Sequence, residues 1–305
     1  MFSELRSAGL IAVDGADAGA FLHAQLTSDI VGLPLLRTQY SGYCSPKGRL
    51  LATFMVWRGE EAILLQLPAS LCEDIRTRLS KYVLRSRVEL ADATADYCFF
   101  GVWGSDAPDA LAGITETVPE ALHDLVAARG RYVTRLSAGR FVVVVPAEEA
   151  DAARTVLASR ARELPENAWA RLEIESGIPV ITREIQEQFV PQMVNLDLIG
   201  AVSYAKGCYP GQEIVARMHY LGRLKQRMYR VHIPSAIAPV AGEPLFSPAF
   251  GRDQASGTIV NAAPVENGHE ALAVIQTSAV AGAVHWKSPD GPAAELKRLP
   301  YSVPD

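Results

Sequence analysis

From residue 206 to residue 213 the chain reads Lys-Gly-Cys-Tyr-Pro-Gly-Gln-Glu and continues through Ile214-Val215-Ala216-Arg217. Two glycines bracket one cysteine. Gly207 allows close backbone approach or a sharp turn, Pro210 fixes φ, and residues 212–218 are expected to be helical. A cysteine at a helix start beside Lys206 would feel two influences that favour the thiolate, the aligned N–H dipoles and a neighbouring positive charge. Cys208 is thus a candidate reactive thiol with Lys206 as its tuning cation. The plainer reading is a small buried hydrophobe in a tight turn. Arg217, Arg223, Lys225, Arg227 and Arg230 follow within fourteen residues, and no acid lies between Ile214 and Ala241. Guanidinium groups pair bidentately with carboxylates, so this span is a candidate anion site; a solvated strand face is the alternative. Upstream, Arg171-Leu172-Glu173-Ile174-Glu175-Ser176-Gly177-Ile178-Pro179 carries two carboxylates two positions apart. On a helix they face different directions and are no acid–base pair. One of them, if buried, can accept two parallel hydrogen bonds from a ligand, and a surface salt bridge is the competing use. A third stretch, Tyr43-Cys44-Ser45-Pro46-Lys47-Gly48-Arg49, reads as a hairpin turn with two cations on its tip.

The elements that must position these residues are legible in outline. Residues 10–13 read as a strand, and Asp14-Gly15 turns into an amphipathic stretch over 16–26. The runs 39–43 and 49–57 flank the turn at 45–48 as a hairpin, 62–67 pairs back, and 69–82 looks helical. Strands are expected around Val88, Leu90 and 97–103, then a helix over 119–128. A second hairpin, 131–136 with 141–145, turns at Ala138-Gly139 and leads into a helix over 148–162. A helix over 168–176 ends at Gly177-Ile178-Pro179. Beyond about residue 230, prolines punctuate short β-like runs, the pattern of a small all-β domain. The tail 289–305 is expected to be partly mobile.

Composition bounds what this machinery serves. A chain of 305 residues, 49% hydrophobic and 21% charged, is ordinary for a globular protein and should bury roughly 75% of its unfolded surface. A net charge of -5 argues against general polyanion binding, leaving RNA as a partner only for a local patch. The opening residues lack a basic, then apolar, secretion pattern, and no window approaches the roughly 18 apolar residues of a membrane helix. Four widely spaced cysteines without a CxxC pair fit a reducing compartment, with the cytoplasm expected. The six histidines have no metal-ligand spacing, so no permanently bound metal is expected. There is no P-loop, no GxGxxG after a strand and no GxSxG elbow.

Taken in order, the three stretches resemble the YgfZ family of folate-binding proteins, whose mitochondrial relatives are iron–sulfur cluster assembly factors. KGCYPGQE followed by VAR resembles the defining signature; YCSPKGR, and the span from LEIESGIP through FVPQMVNLD, resemble companion motifs. The resemblance covers about residues 8–232. It implies an α+β fold, a three-lobed ring like that of the glycine-cleavage T-protein, with two α+β lobes and a small C-terminal β-barrel. The implied lobes are 1–50 with 165–222, 51–164, and 223–305. It implies tetrahydrofolate or a folate derivative as cofactor, with Glu175 gripping the pterin, Arg223 or Arg227 the glutamate tail, and Gly207, Tyr209 and Arg217 lining the site around Cys208 and Lys206. T-proteins place an acidic pair where this chain has Ala52 and Thr53, neither of which can act as a carboxylate base. The resemblance therefore points to an accessory factor for assembly or repair of iron–sulfur clusters, with client enzymes or assembly proteins as partners, tRNA-modifying ones included, rather than a conventional enzyme. A folate-dependent one-carbon transferase is the rival reading, and RNA binding through the strip 217–230 a third.

Overall fold

The computed structural model describes residues 1–222, 224–251 and 254–304. They divide into two compact units, Met1–Ser41 with Phe54–Trp169, and Gly42–Thr53 with Ala170–Asp305.

In the first unit a five-stranded sheet runs in the order Phe2–Glu4, Tyr97–Trp103, Arg140–Pro146, Arg131–Ser137, Leu125–Ala128, with every neighbour antiparallel. The central strand is buried along nearly its whole length, which is why it reads as the unbroken run Phe-Val-Val-Val-Val instead of alternating. One face packs on the helix Ala150–Ala158 and the short helix Ala107–Ala110 through Phe141, Val143, Val145, Ala153 and Leu157. Elsewhere on the sheet Gly101 admits Trp169: a Cβ there would sit 2.2 Å from the indole. The Arg140 guanidinium lies over the same ring at 4.2 Å, a cation–π contact.

A second sheet has the order Arg37–Cys44, Leu50–Arg58, Ile63–Pro68, Ala8–Asp14, Glu89–Asp92. Its first two strands are the expected hairpin, whose tip Gly42–Thr53 belongs to the second unit. The helix Ala69–Ser80 buries Leu71, Ile75 and Leu79, one apolar residue per turn.

Residues 119–128 are not the expected helix. Leu125–Ala128 is a strand paired with Arg131–Ser137 across Arg129-Gly130, whose φ values of 55 and 76 are those of a two-residue type I′ turn. His123 has φ 64; its N–H donates to the Arg135 carbonyl at 2.8 Å and its carbonyl accepts from the Thr38 N–H at 2.9 Å. These long-range bonds take the backbone groups that a helix would have used.

The second unit carries a six-stranded sheet in the order His285–Trp286, Pro244–Phe246, Ala255–Val265, Gly268–Gln276, Gln226–Ile233, Glu295–Lys297, antiparallel at each pairing. Val231, Ile259, Ala273, Ile275 and Trp286 form its core. The tail is not loose, as its sequence implied: Glu295–Lys297 pairs with Gln226–Ile233, and Tyr301 donates a hydrogen bond to the Gly177 carbonyl at 2.8 Å. Among the described residues no helix is long and apolar enough to cross a membrane.

Candidate functional site

Two of the sequence motifs meet through their glycines. In the turn at 45–48, Gly48 N–H donates to Ser45 O and Ser45 N–H to Arg49 O, each at 2.8 Å, and Gly48 has φ 69. Gly211, with φ 78, caps the helix Gln212–Tyr220. A Cβ on Gly211 would lie 2.5 Å from the Gly48 backbone, and one on Gly48 would lie 2.9 Å from Ile214 Cβ. Only glycine permits this backbone-to-backbone approach with both residues in the left-handed region. The contact fixes where the loop 206–210 emerges.

That loop presents Cys208 to solvent, whereas Cys44 and Cys72 are buried and Cys98 is half-buried. Burial pushes the Cys44 thiol up, and pushes Cys72 and Cys98 up to about 11, so those three stay protonated. Cys208 precedes the Gly211 cap by three residues, so it lies outside the first helical turn, and the dipole argument drawn from the sequence does not carry. Lys206 places its ammonium 5.1 Å from the centre of the Tyr209 ring, and Tyr209 is buried. A Cβ on Gly207 would meet nothing within 4 Å, so this glycine faces open space. Among the described residues no group of three or more His, Cys, Asp or Glu is arranged to hold a metal ion.

Glu175 closes the helix Glu166–Glu175. Its Oε1 lies 3.2 Å from Arg171 Nε and 3.6 Å from Arg230 Nη2. Arg230 Nε also bonds Glu270 Oε2 at 2.7 Å, and His232, two residues along the same strand face, brings Nδ1 to 3.4 Å from Glu270 Oε1. Both cations approach Glu175 at one oxygen of a side chain that is 31% exposed. That exposure leaves the carboxylate within reach of a donor from outside the chain.

The segment 189–197, the far end of the companion span that begins at LEIESGIP, builds a buried network. Arg227 pairs bidentately with Asp197 at 2.7 and 3.0 Å and donates to the Gln192 carbonyl at 2.8 Å. Gln192 Nε2 donates to Val215 O at 2.7 Å and Tyr204 Oη at 3.2 Å. Gln192, Asp197 and Arg227 line a cavity of about 220 Å³ with Met218, His219 and Pro304, and the His219 ring stacks on Tyr204 at 3.7 Å. Asn195, buried and left-handed with φ 60, donates to Met228 O at 2.8 Å and to Tyr301 Oη at 3.4 Å. The sequence reading assigned no role to Gln192, Asn195, Asp197 or Tyr301; the available signal was three polar residues inside an apolar run.

The cationic strip is largely spoken for. Arg227 is held by Asp197, Arg230 by Glu270 and Glu175, and Arg217 by Glu213 at 2.6 Å on an exposed helix face. Arg223, expected to hold a glutamate tail, lies outside the described residues. At the hairpin, Ala52 is buried. Thr53 Oγ1 donates to Pro179 O and accepts from Ile181 N–H, both at 3.1 Å. Asn261 completes this clamp, bonding Val180 N–H and C=O at 2.9 and 2.8 Å. The Thr53 hydroxyl is thus used in holding the segment that follows Glu175.

Residues 2–132 match the GCVT N-terminal domain family. Across 298 residues, 96% of this chain and 90% of the relative, the sequence is 28% identical to the tRNA-modifying protein YgfZ of Sodalis glossinidius. It is 32% identical over 262 residues to the protein of that name from Yersinia pseudotuberculosis, covering 85% of this chain and 79% of the relative. The crystal structure of glycine cleavage system aminomethyltransferase T from Bartonella henselae superposes with a TM-score of 0.80 at 18% identity, covering 98% of this chain and 85% of that one, so the two share a fold. With identity of this order along most of both sequences, and the signature loop built as described, the chain belongs to the YgfZ family.

Proposed function

We propose that this protein is a tetrahydrofolate-binding accessory factor for the assembly or repair of iron–sulfur clusters in client enzymes, tRNA-modifying ones included. One observation carries the reading: a partly exposed carboxylate stands at Glu175, while positions 52 and 53 offer no carboxylate base and the Thr53 hydroxyl is occupied by backbone. That combination supports ligand binding without the transferase's base. Glu175 would hold the pterin edge, with Gly207 and Tyr209 beside Cys208, and Arg217 and Arg223 would be the cations for a glutamate tail, Arg227 being turned to Asp197. Bound tetrahydrofolate supplies nitrogen atoms that accept one-carbon units. Cys208 is the thiol free to act, since the other three cysteines are shielded. One thiolate cannot supply the four usual for a cluster, so a cluster handled here is cargo shared with the client. The relatives' printed name, tRNA-modifying protein, supports clients of that kind, and four free cysteines suit a reducing compartment such as the cytoplasm. The T-protein fold favours the one-carbon transferase as second reading; turnover of an aminomethylated carrier protein would establish it.

The test is calorimetric titration of tetrahydrofolate into the wild type and into Glu175→Ala and Cys208→Ala. Binding by the wild type, a loss of about 1.4 kcal/mol or more, which is tenfold, in Glu175→Ala, and retained binding in Cys208→Ala are expected. A wild type that does not bind removes folate from the reading.

A further inference from the structure

The C-terminal tail is tied to two motif segments of the second unit, 171–179 and 189–197. Tyr301 Oη donates to Gly177 O at 2.8 Å and lies 3.4 Å from Asn195 Nδ2, which donates toward it. The same Asn195 amide donates to Met228 O at 2.8 Å. Gly177 has φ 68, and a Cβ there would lie 2.5 Å from Tyr301 Oη. The turn that ends the Glu175 helix is therefore shaped around this phenol, on a residue where only glycine gives the room. Burial pushes the Tyr301 hydroxyl up to about 12, so it remains a donor across the working pH range. Three residues on, Pro304 forms part of the wall of the 220 Å³ cavity that Asp197, Arg227 and Gln192 line. Glu175 lies two residues before Gly177, Asp197 two after Asn195, and Arg227 and Arg230 flank Met228. One hydroxyl thus links the backbone behind the partly exposed Glu175 carboxylate to the backbone behind both of the buried and half-buried arginines.

We propose that Tyr301 is a positioning residue: its hydroxyl sets the backbone that carries Glu175 and joins it to the Asn195 turn, making the C-terminal tail part of the ligand site without touching the ligand. The ligand half of this proposal rests on the folate reading above; the coupling half does not. Three full-length proteins separate them: the wild type, Tyr301→Phe, which removes only the hydroxyl, and Ile259→Val, a substitution in the core of the six-stranded sheet as a control for general destabilisation.

Amide hydrogen exchange is measured first, without ligand. In Tyr301→Phe the amides of 175–178 and 195–197 are expected to exchange at least about tenfold faster, with the first unit unchanged. Exchange equal to the wild type in both segments overturns the proposal. Tetrahydrofolate titration follows. About tenfold weaker binding in Tyr301→Phe, with Ile259→Val binding as the wild type does, supports the positioning role. Equal loss in the two variants, or none in Tyr301→Phe, overturns it. If the wild type itself does not bind, the folate reading falls, and the exchange result alone decides whether Tyr301 holds the Glu175 turn.

Discussion

The Cys208 loop and the Asn195 turn lie thirteen residues apart in the chain and are built in opposite ways. Around Gly207 there is room for a side chain that is not there, and the thiol beside it is exposed. At Asn195 the residue is fully buried in a left-handed conformation, its amide nitrogen is bonded to two other segments, and its neighbour Asp197 neutralises a buried arginine. Polar residues of a motif are thus of two kinds. Some have their donor groups or charge engaged by the fold, and others stand exposed to what lies outside the chain. Substitution separates the two, because removing a satisfied buried partner leaves its mate stranded, whereas removing an exposed group strands nothing.

The largest effect is expected at Asp197. Asp197→Ala leaves the Arg227 guanidinium buried without its carboxylate and should lower stability by about 3–5 kcal/mol, read as a shift of the urea midpoint. A loss below about 1 kcal/mol would mean that the turn is not the structural half of the comparison. Next is Gly211→Ala, which combines a strained φ with a methyl group driven into the Gly48 backbone; about 3 kcal/mol is expected by thermal melting. A smaller change there would show that the hairpin turn can move away and that the loop is less fixed than the glycine contact implies. The smallest belongs to Cys208→Ala, within about 0.5 kcal/mol of the wild type. In the native wild type, iodoacetamide followed by mass spectrometry should label Cys208 quickly and Cys44, Cys72 and Cys98 only after unfolding. Rapid native labelling of any of those three breaks the contrast between an acting thiol and packed ones.

Much of the framework was legible because its signals are local. The turn at 45–48, the helix Ala69–Ser80 and the helix Gln212–Tyr220 follow from glycine and proline placement and from apolar spacing. Residues 119–128 were misread because their apolar spacing suits either a helix or a strand, and the deciding bonds run from His123 to Thr38 and Arg135. The tail 289–305 is expected to be partly mobile as a terminal segment, yet one tyrosine finds Gly177 across the chain. At the candidate site, the residue types at Cys208 and Glu175 stood out. Their surroundings did not: the sequence places Lys206 beside Cys208, and the fold sends its ammonium over Tyr209.

The sequence by itself determined the family, the all-β character of the C-terminal region, the absence of a carboxylate at positions 52 and 53, and a lone cysteine between two glycines. These are properties of residue type and short-range spacing, which need no partner to be read. Only the tertiary structure decided that Gly48 and Gly211 touch, that Arg227 is matched to Asp197, that Arg230 is shared between Glu175 and Glu270, and that Tyr301 reaches Gly177. The reason is that a charge or donor carries no local mark of its partner. Which cation is neutralised and which carboxylate stays partly exposed depends on pairings across tens to more than a hundred residues, and those are fixed when the sheet register and the glycine contacts bring the segments together.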